Sequence, residues 1–123
     1  MDRHECWKRI WPERMPRKIE VNQCFTEYFR EQAVQRPEAV SVDFYGREVC
    51  YGELDRYIDQ FANALIGRGL AKGDRVGIYL QNSPQFVICF FGVIRAGGVA
   101  VSLNPMFTGM ELEPVIEKTG LET

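Results

Sequence analysis

Lys72-Gly73-Asp74-Arg75-Val76-Gly77-Ile78-Tyr79-Leu80, then Gln81-Asn82-Ser83-Pro84, an apolar run from Phe86 to Ile94, and Gly97-Gly98-Val99-Ala100-Val101-Ser102-Leu103 decide the fold class. Lys72-Gly73-Asp74 turns the chain into a strand over 75–80, with Val76, Ile78 and Leu80 on one face. Asn82-Ser83-Pro84 opens a helix, with a polar cap and proline at the first helical position. That helix, over 84–97, is apolar nearly all round, which predicts burial between two layers. Gly97-Gly98 ends it, and residues 99–103 form a β-branched run suited to an interior strand. Strand, helix, strand in about thirty residues is a βαβ crossover, which normally sets its strands parallel and right-handed.

Upstream, Gly52 to Arg68 reads as a helix with Leu54, Tyr57, Ile58, Phe61, Ala62 and Leu65 on one stripe. Gly67 and Gly69 end it, since glycine takes a left-handed cap without a Cβ clash. Before it, Val40, Val42 and Phe44 alternate with polar residues, Tyr45-Gly46 turns, and Arg47 to Tyr51 returns. This predicts a small β-hairpin over about 39–51. A further helix covers Cys24 to Gln35, with Phe25, Tyr28, Phe29 and Ala33 at helical spacing. The last helix starts near Thr108, where Thr108 and Glu111 are spaced as a capping box. Leu112, Val115 and Ile116 give it an apolar face, and Pro114, beyond the first turn, is expected to remove one backbone hydrogen bond and kink the helix. The expected class is α/β: part of a three-layer α/β subdomain with parallel strands at 75–80 and 99–103. Residues 1–22 read as an N-terminal arm and 23–123 as one domain, without internal repeats.

Composition narrows the function classes. The 123 residues are 46% hydrophobic and 26% charged, the balance of a globular chain. A net charge of -2 excludes a strongly basic nucleic-acid binder. Cys6, Cys24, Cys50 and Cys89 form no C-x-x-C pair and His4 is the sole histidine, a poor set for zinc. Free thiols and no visible signal peptide point to a reducing cytoplasm. Residues 1–18 carry a net +3 and place Trp7, Ile10 and Trp11 on one helical face. A membrane-surface helix is one reading of that arm. Pro12 and Pro16 cut the helix short, which favours an arm packed across the domain.

No motif supplies an active site. Gly67-Arg68-Gly69-Leu70-Ala71-Lys72-Gly73 leaves a helix to enter a strand, the reverse of a dinucleotide loop. Lys8, Lys18, Lys72 and Lys118 all lack the glycines of a phosphate-binding loop. Ser41, Ser83 and Ser102 sit in no nucleophile elbow. Glu53, Asp55 and Asp59 fall with Arg56 on what reads as a solvated helix face. Phe86, Phe90 and Phe91 read as core rather than as an acyl-binding wall. Catalytic, cofactor-binding and metal residues are therefore expected to be none.

The order of segments nonetheless resembles a known family. Val49-Cys50-Tyr51-Gly52-Glu53-Leu54 is similar to the Thr-Tyr-x-Glu-Leu opening of the adenylate-forming enzymes. Lys72-Gly73-Asp74-Arg75-Val76 resembles their Lys-Gly-Asp-x-Val, and Gln81-Asn82-Ser83-Pro84-Gln85-Phe86 their Pro-Asn-Ser-x-Glu-Phe. Ile94-Arg95-Ala96-Gly97-Gly98-Val99 through Leu103-Asn104-Pro105 resembles their Leu-Lys-Ala-Gly-Gly-x stretch and following Asn-Pro. Thr108-Gly109-Met110-Glu111-Leu112 resembles their Thr-x-x-Glu-Leu. The Asn104–Thr108 wording is most similar to the fatty acyl-CoA synthetase branch. Departures are Cys50 for threonine, Gln81 for proline, and Pro114 inside a helix.

The resemblance implies a parent that joins a carboxylic acid to AMP using Mg-ATP and then transfers the acyl group to coenzyme A. The family's phosphate loop, ribose-binding aspartate and C-terminal lysine lie beyond this region, so no functional residue carries over. The expectation is an architectural, inactive N-terminal portion of that enzyme, with the remainder of the parent as its partner. The alternative is a stand-alone, non-catalytic protein-interaction module. An unfinished sheet edge and bare apolar helix faces further predict a homo-oligomer.

Overall fold

The computed structural model describes residues 23–121. Helix α1 (Phe25–Gln35) leads into the hairpin β1 (Val40–Phe44) and β2 (Arg47–Cys50). Then come α2 (Tyr51–Gly67), β3 (Arg75–Ile78), α3 (Pro84–Arg95), β4 (Val99–Ser102) and α4 (Gly109–Thr119). The arm over 1–22, with His4, Cys6, Trp7 and Trp11, lies outside the described residues.

The hairpin turn is the one its residues demand. Tyr45 at φ 52° and Gly46 at φ 80° are both left-handed, the requirement of a tight two-residue turn. Asp43 helps, its carboxylate accepting the Gly46 N–H at 3.0 Å. Strands β1 and β2 pair antiparallel, with a bulge between Val40 and Val42. The return strand stops at Cys50 rather than Tyr51. Tyr51 already opens α2, yet its N–H still reaches Ala39 O at 2.9 Å, so hairpin and helix join without a loop.

Glycine ends three of the helices, and Gly120 (φ 61°) does so for α4. After α2, Gly69 (φ 96°) bonds Ile66 O while Leu70 N–H reaches back to Leu65 O, the two bonds of a Schellman cap. Gly97 (φ 87°) repeats the arrangement after α3, where Gly97 bonds Ile94 O and Gly98 bonds Val93 O. The second cap turns the chain straight into β4.

Strands β3 and β4 are parallel neighbours, Arg75 opposite Val99 through Ile78 opposite Ser102. The βαβ expectation holds, but the strands are shorter than 75–80 and 99–103. Leu103 N–H to Ile78 O is the last backbone rung among the described residues, so the strands stop before Tyr79 and Leu80. Helix α3 lies between α2 and this sheet. Gly92 makes the helix crossing possible: a Cβ there would lie 2.7 Å from the Phe61 ring. The core gathers Val49, Leu54 and Ile58, with Phe29, Val42, Val87, Ile88 and Phe91 packed against it.

Burial of α3 is less complete than its composition predicts. Gly92 and Val93 are its buried residues, while Phe86 and Phe90 are half-buried and stack on each other at 6.1 Å. Phe91 does enter the core side, against Phe25 at 5.0 Å and Phe29 at 4.9 Å. An apolar helix needs cover on every side, and α2 and a two-stranded sheet cover only part of it.

Candidate functional site

Open α/β sheets present their ligand-facing loops at the carboxyl ends of the strands. Here those ends are Ile78 and Ser102, followed by loops 79–83 and 103–108. Their conformation is fixed by local polar chemistry. The Tyr79 hydroxyl lies 3.0 Å from Pro105 O and 2.8 Å from Phe107 O, tying one loop to the other. Asn104 Oδ1 accepts the Met106 N–H at 3.0 Å, an Asx turn. Ser83 Oγ accepts the Phe86 N–H at 3.3 Å and so caps α3 at the same edge.

The capping box at the head of α4 forms. Glu111 accepts both the backbone N–H and the hydroxyl of Thr108, at 2.8 and 2.9 Å. Those two donors hold the Glu111 carboxyl below its ordinary range. The thiols differ from one another. Cys24 is exposed at the head of α1, and the Thr26 hydroxyl donating to its Sγ lowers its pKa. Partial burial in α3 pushes the Cys89 thiol up. Among the described residues, neither thiol has a basic partner of the kind that makes a nucleophile.

The acidic face of α2 is not the solvated surface its sequence suggests. Asp55 and Asp59 meet two arginines from other helices. Arg95 of α3 reaches Asp55 at 2.7 Å and Asp59 at 2.9 Å, and Arg30 of α1 reaches Asp59 at 2.8 Å. The Arg95 and Asp55 side chains keep only 12% and 19% of their exposure. This lattice pins three helices together through charge. Local periodicity misses it because the partners are 29 to 40 positions apart. The available signal was Arg95 itself, a lone cation closing an otherwise apolar helix. Glu53 behaves differently, accepting the Tyr57 hydroxyl at 2.9 Å.

The other sequence candidates stay apart. Ser41 lies at the hairpin bulge, Ser83 caps α3, and Ser102 ends β4. Gly67 to Gly73 is a helix end and turn, as its order in the chain required. Among the described residues, no three His, Cys, Asp or Glu side chains are grouped to share a metal ion. No described helix is long and apolar enough to cross a membrane.

A second concavity, of about 390 Å³, opens between the hairpin, α2 and the head of α3. Phe44, Val49, Pro84 and Ile88 supply apolar lining, and Arg47, Tyr57 and Gln85 complete it.

The βαβ unit, its two fixed loops and the sequence blocks that build them have counterparts in known proteins. The AMP-binding enzyme family matches residues 29–123. This chain belongs to that family. It is similar to a long-chain-fatty-acid–CoA ligase of Bacillus subtilis strain 168, 32% identical over 114 residues, covering 92% of this chain. It is also similar to a nonribosomal peptide synthetase of Glarea lozoyensis, 32% identical over 117 residues, covering 94% of this chain and 2% of that protein. Among solved structures, the N-terminal subdomain of Klebsiella oxytoca NpsA superposes with a TM-score of 0.78 at 26% identity. That match covers 82% of this chain and 26% of the other. The chain spans about a fifth of the length of the ligase it matches (20%). The α/β class with a separate antiparallel hairpin is thus the N-terminal architecture of adenylation enzymes.

Proposed function

We propose that this chain supplies the N-terminal scaffold of an AMP-forming acyl-CoA synthetase and is catalytically inert by itself. The observation that carries the reading is the nature of what it shares with its relatives. The shared blocks are turns, helix caps and a βαβ unit, and the matched ligase is about five times as long, this chain covering 20% of it. In the parent, a carboxylic acid would be joined to AMP with release of pyrophosphate, and the acyl group then passed to coenzyme A. The Asn104–Thr108 wording and the ligase relatives favour a fatty acid over the amino acids of peptide synthetases.

The described residues offer Mg-ATP neither a glycine-rich loop leading into a helix nor three carboxylate, thiol or imidazole side chains grouped to share a metal ion. The paired Asp55 and Asp59 are held by arginines. No step is therefore assigned through the nucleotide. The division of labour gives residues 23–123 a structural role, residues 1–22 the role of a covering arm, and the remainder of the parent that of principal partner. Free thiols suit a cytoplasmic setting, and the half-exposed sheet favours self-association.

Isothermal titration with Mg-ATP, paired with pyrophosphate release over a panel of carboxylic acids, tests the reading. Neither heat of binding nor turnover is expected. Micromolar ATP affinity or measurable pyrophosphate release would overturn it.

A further inference from the structure

The concavity beside the hairpin has a composition that the scaffold role leaves unused. Strand alternation puts Arg47 on the same face as Val49, which is buried at 5% exposure. Its cross-strand partner is Phe44, and the neighbouring pair on that face is Val42 with Val49. A cation thus stands where the pattern of the hairpin calls for an apolar side chain.

Among the described residues the ion pairs belong to Arg30 and Arg95 with Asp55 and Asp59, and Arg47 takes part in none. Glu53 is engaged by the Tyr57 hydroxyl at the cleft wall. Gln85 adds an amide from the first turn of α3. The half-open cleft of about 390 Å³ falls within the roughly 300–1,000 Å³ typical of small-ligand sites. Apolar lining together with an exposed arginine that has no ion pair among the described residues suits a small anion with an apolar body.

We propose that this cleft binds a small amphipathic carboxylate, its apolar body against Phe44, Val49 and Ile88 and its carboxylate on the Arg47 guanidinium, with the Gln85 amide beside it. The site is separate from the strand-end loops and does not rest on the adenylation reading.

Three probes of equal length separate charge recognition from greasiness: octanoate, 1-octanol and octylammonium, titrated into the 123-residue chain. Binding is read from amide and methyl shift changes. Octanoate should shift Val49, Tyr57 and Ile88 saturably at submillimolar concentration, with octanol weaker and octylammonium weakest. Arg47→Gln should weaken octanoate about tenfold, the loss expected for one charged hydrogen-bonding partner, and leave octanol unchanged. Gln85→Trp, which places a ring in the mouth, should abolish the shifts from both. Equal binding of octanoate and octylammonium, or an octanoate affinity indifferent to Arg47→Gln, would overturn the proposal. So would shifts that appear away from the cleft.

Discussion

The hairpin–α2 half and the β3–β4 half of this molecule are built from similarly apolar sequence, yet they close to different degrees. In the first, Val49, Leu54 and Ile58 reach near-zero exposure, because hairpin, α1 and α3 cover α2 from several sides. In the second, Ile78 is buried but Val99 keeps 47% exposure and Tyr79 46%, because α3 is the one described helix that packs extensively on that strand pair. Helix α3 belongs to both halves, buried at Gly92 and Val93 and half-buried at Phe86 and Phe90. Apolar content alone does not make a core. Cover from enough directions does.

Substitutions at graded depths put that contrast at risk. The largest effect is expected for Leu54→Ala, which empties a fully buried site where three elements meet. A loss of about 2–5 kcal/mol in chemical denaturation is the expected result. A loss below about 1 kcal/mol would mean that the first half is no better closed than the second.

Next comes Arg95→Met, which keeps the apolar stem but strips Asp55 of its main partner inside the helix lattice. It should cost about 2–3 kcal/mol, the range for a hydrogen-bonded charge left without its mate. Asp59→Asn should cost no more than about 1 kcal/mol, since Asp59 keeps 42% of its side-chain exposure. Equal losses from both would show that the lattice acts through solvent-exposed charge alone.

A smaller, local effect is expected from acid. The folded Glu111 carboxyl titrates below its unfolded value, so its contribution is complete above the unfolded value. That contribution disappears as pH falls through the lowered folded value. Amide shifts of Gly109 to Leu112 should therefore move toward frayed-helix positions below the ordinary glutamate range, ahead of Leu54 and Ile58. Simultaneous loss at both places would argue against an independently capped α4. The smallest effect is expected for Val99→Thr, under about 0.5 kcal/mol by thermal melting, because half of that side chain already meets water. A larger loss would place the β4 edge inside a covered interface.

Much of the architecture was legible in the residues themselves. Ser83-Pro84, Gly97-Gly98, Tyr45-Gly46 and Thr108 with Glu111 are short-range devices whose chemistry acts within a few positions. Boundaries were less legible at Tyr51, Tyr79 and Leu80. There a long-range hydrogen bond or its absence decided where a strand ends. The family blocks led to adenylation enzymes because they are these same turns and caps, kept in order along the chain. The Asp55–Asp59–Arg30–Arg95 lattice was not legible, and neither was the cleft at Arg47.

Local sequence sufficed for the helices, their caps, the hairpin and the parallel crossover. Each rests on torsional preference, hydrogen bonding or periodicity over a few residues. Three outcomes needed the assembled fold: which charges pair, which aromatic rings enter the core, and which residues line the cleft beside the hairpin. They depend on side chains brought together from positions far apart in the chain, a distance that no local pattern encodes.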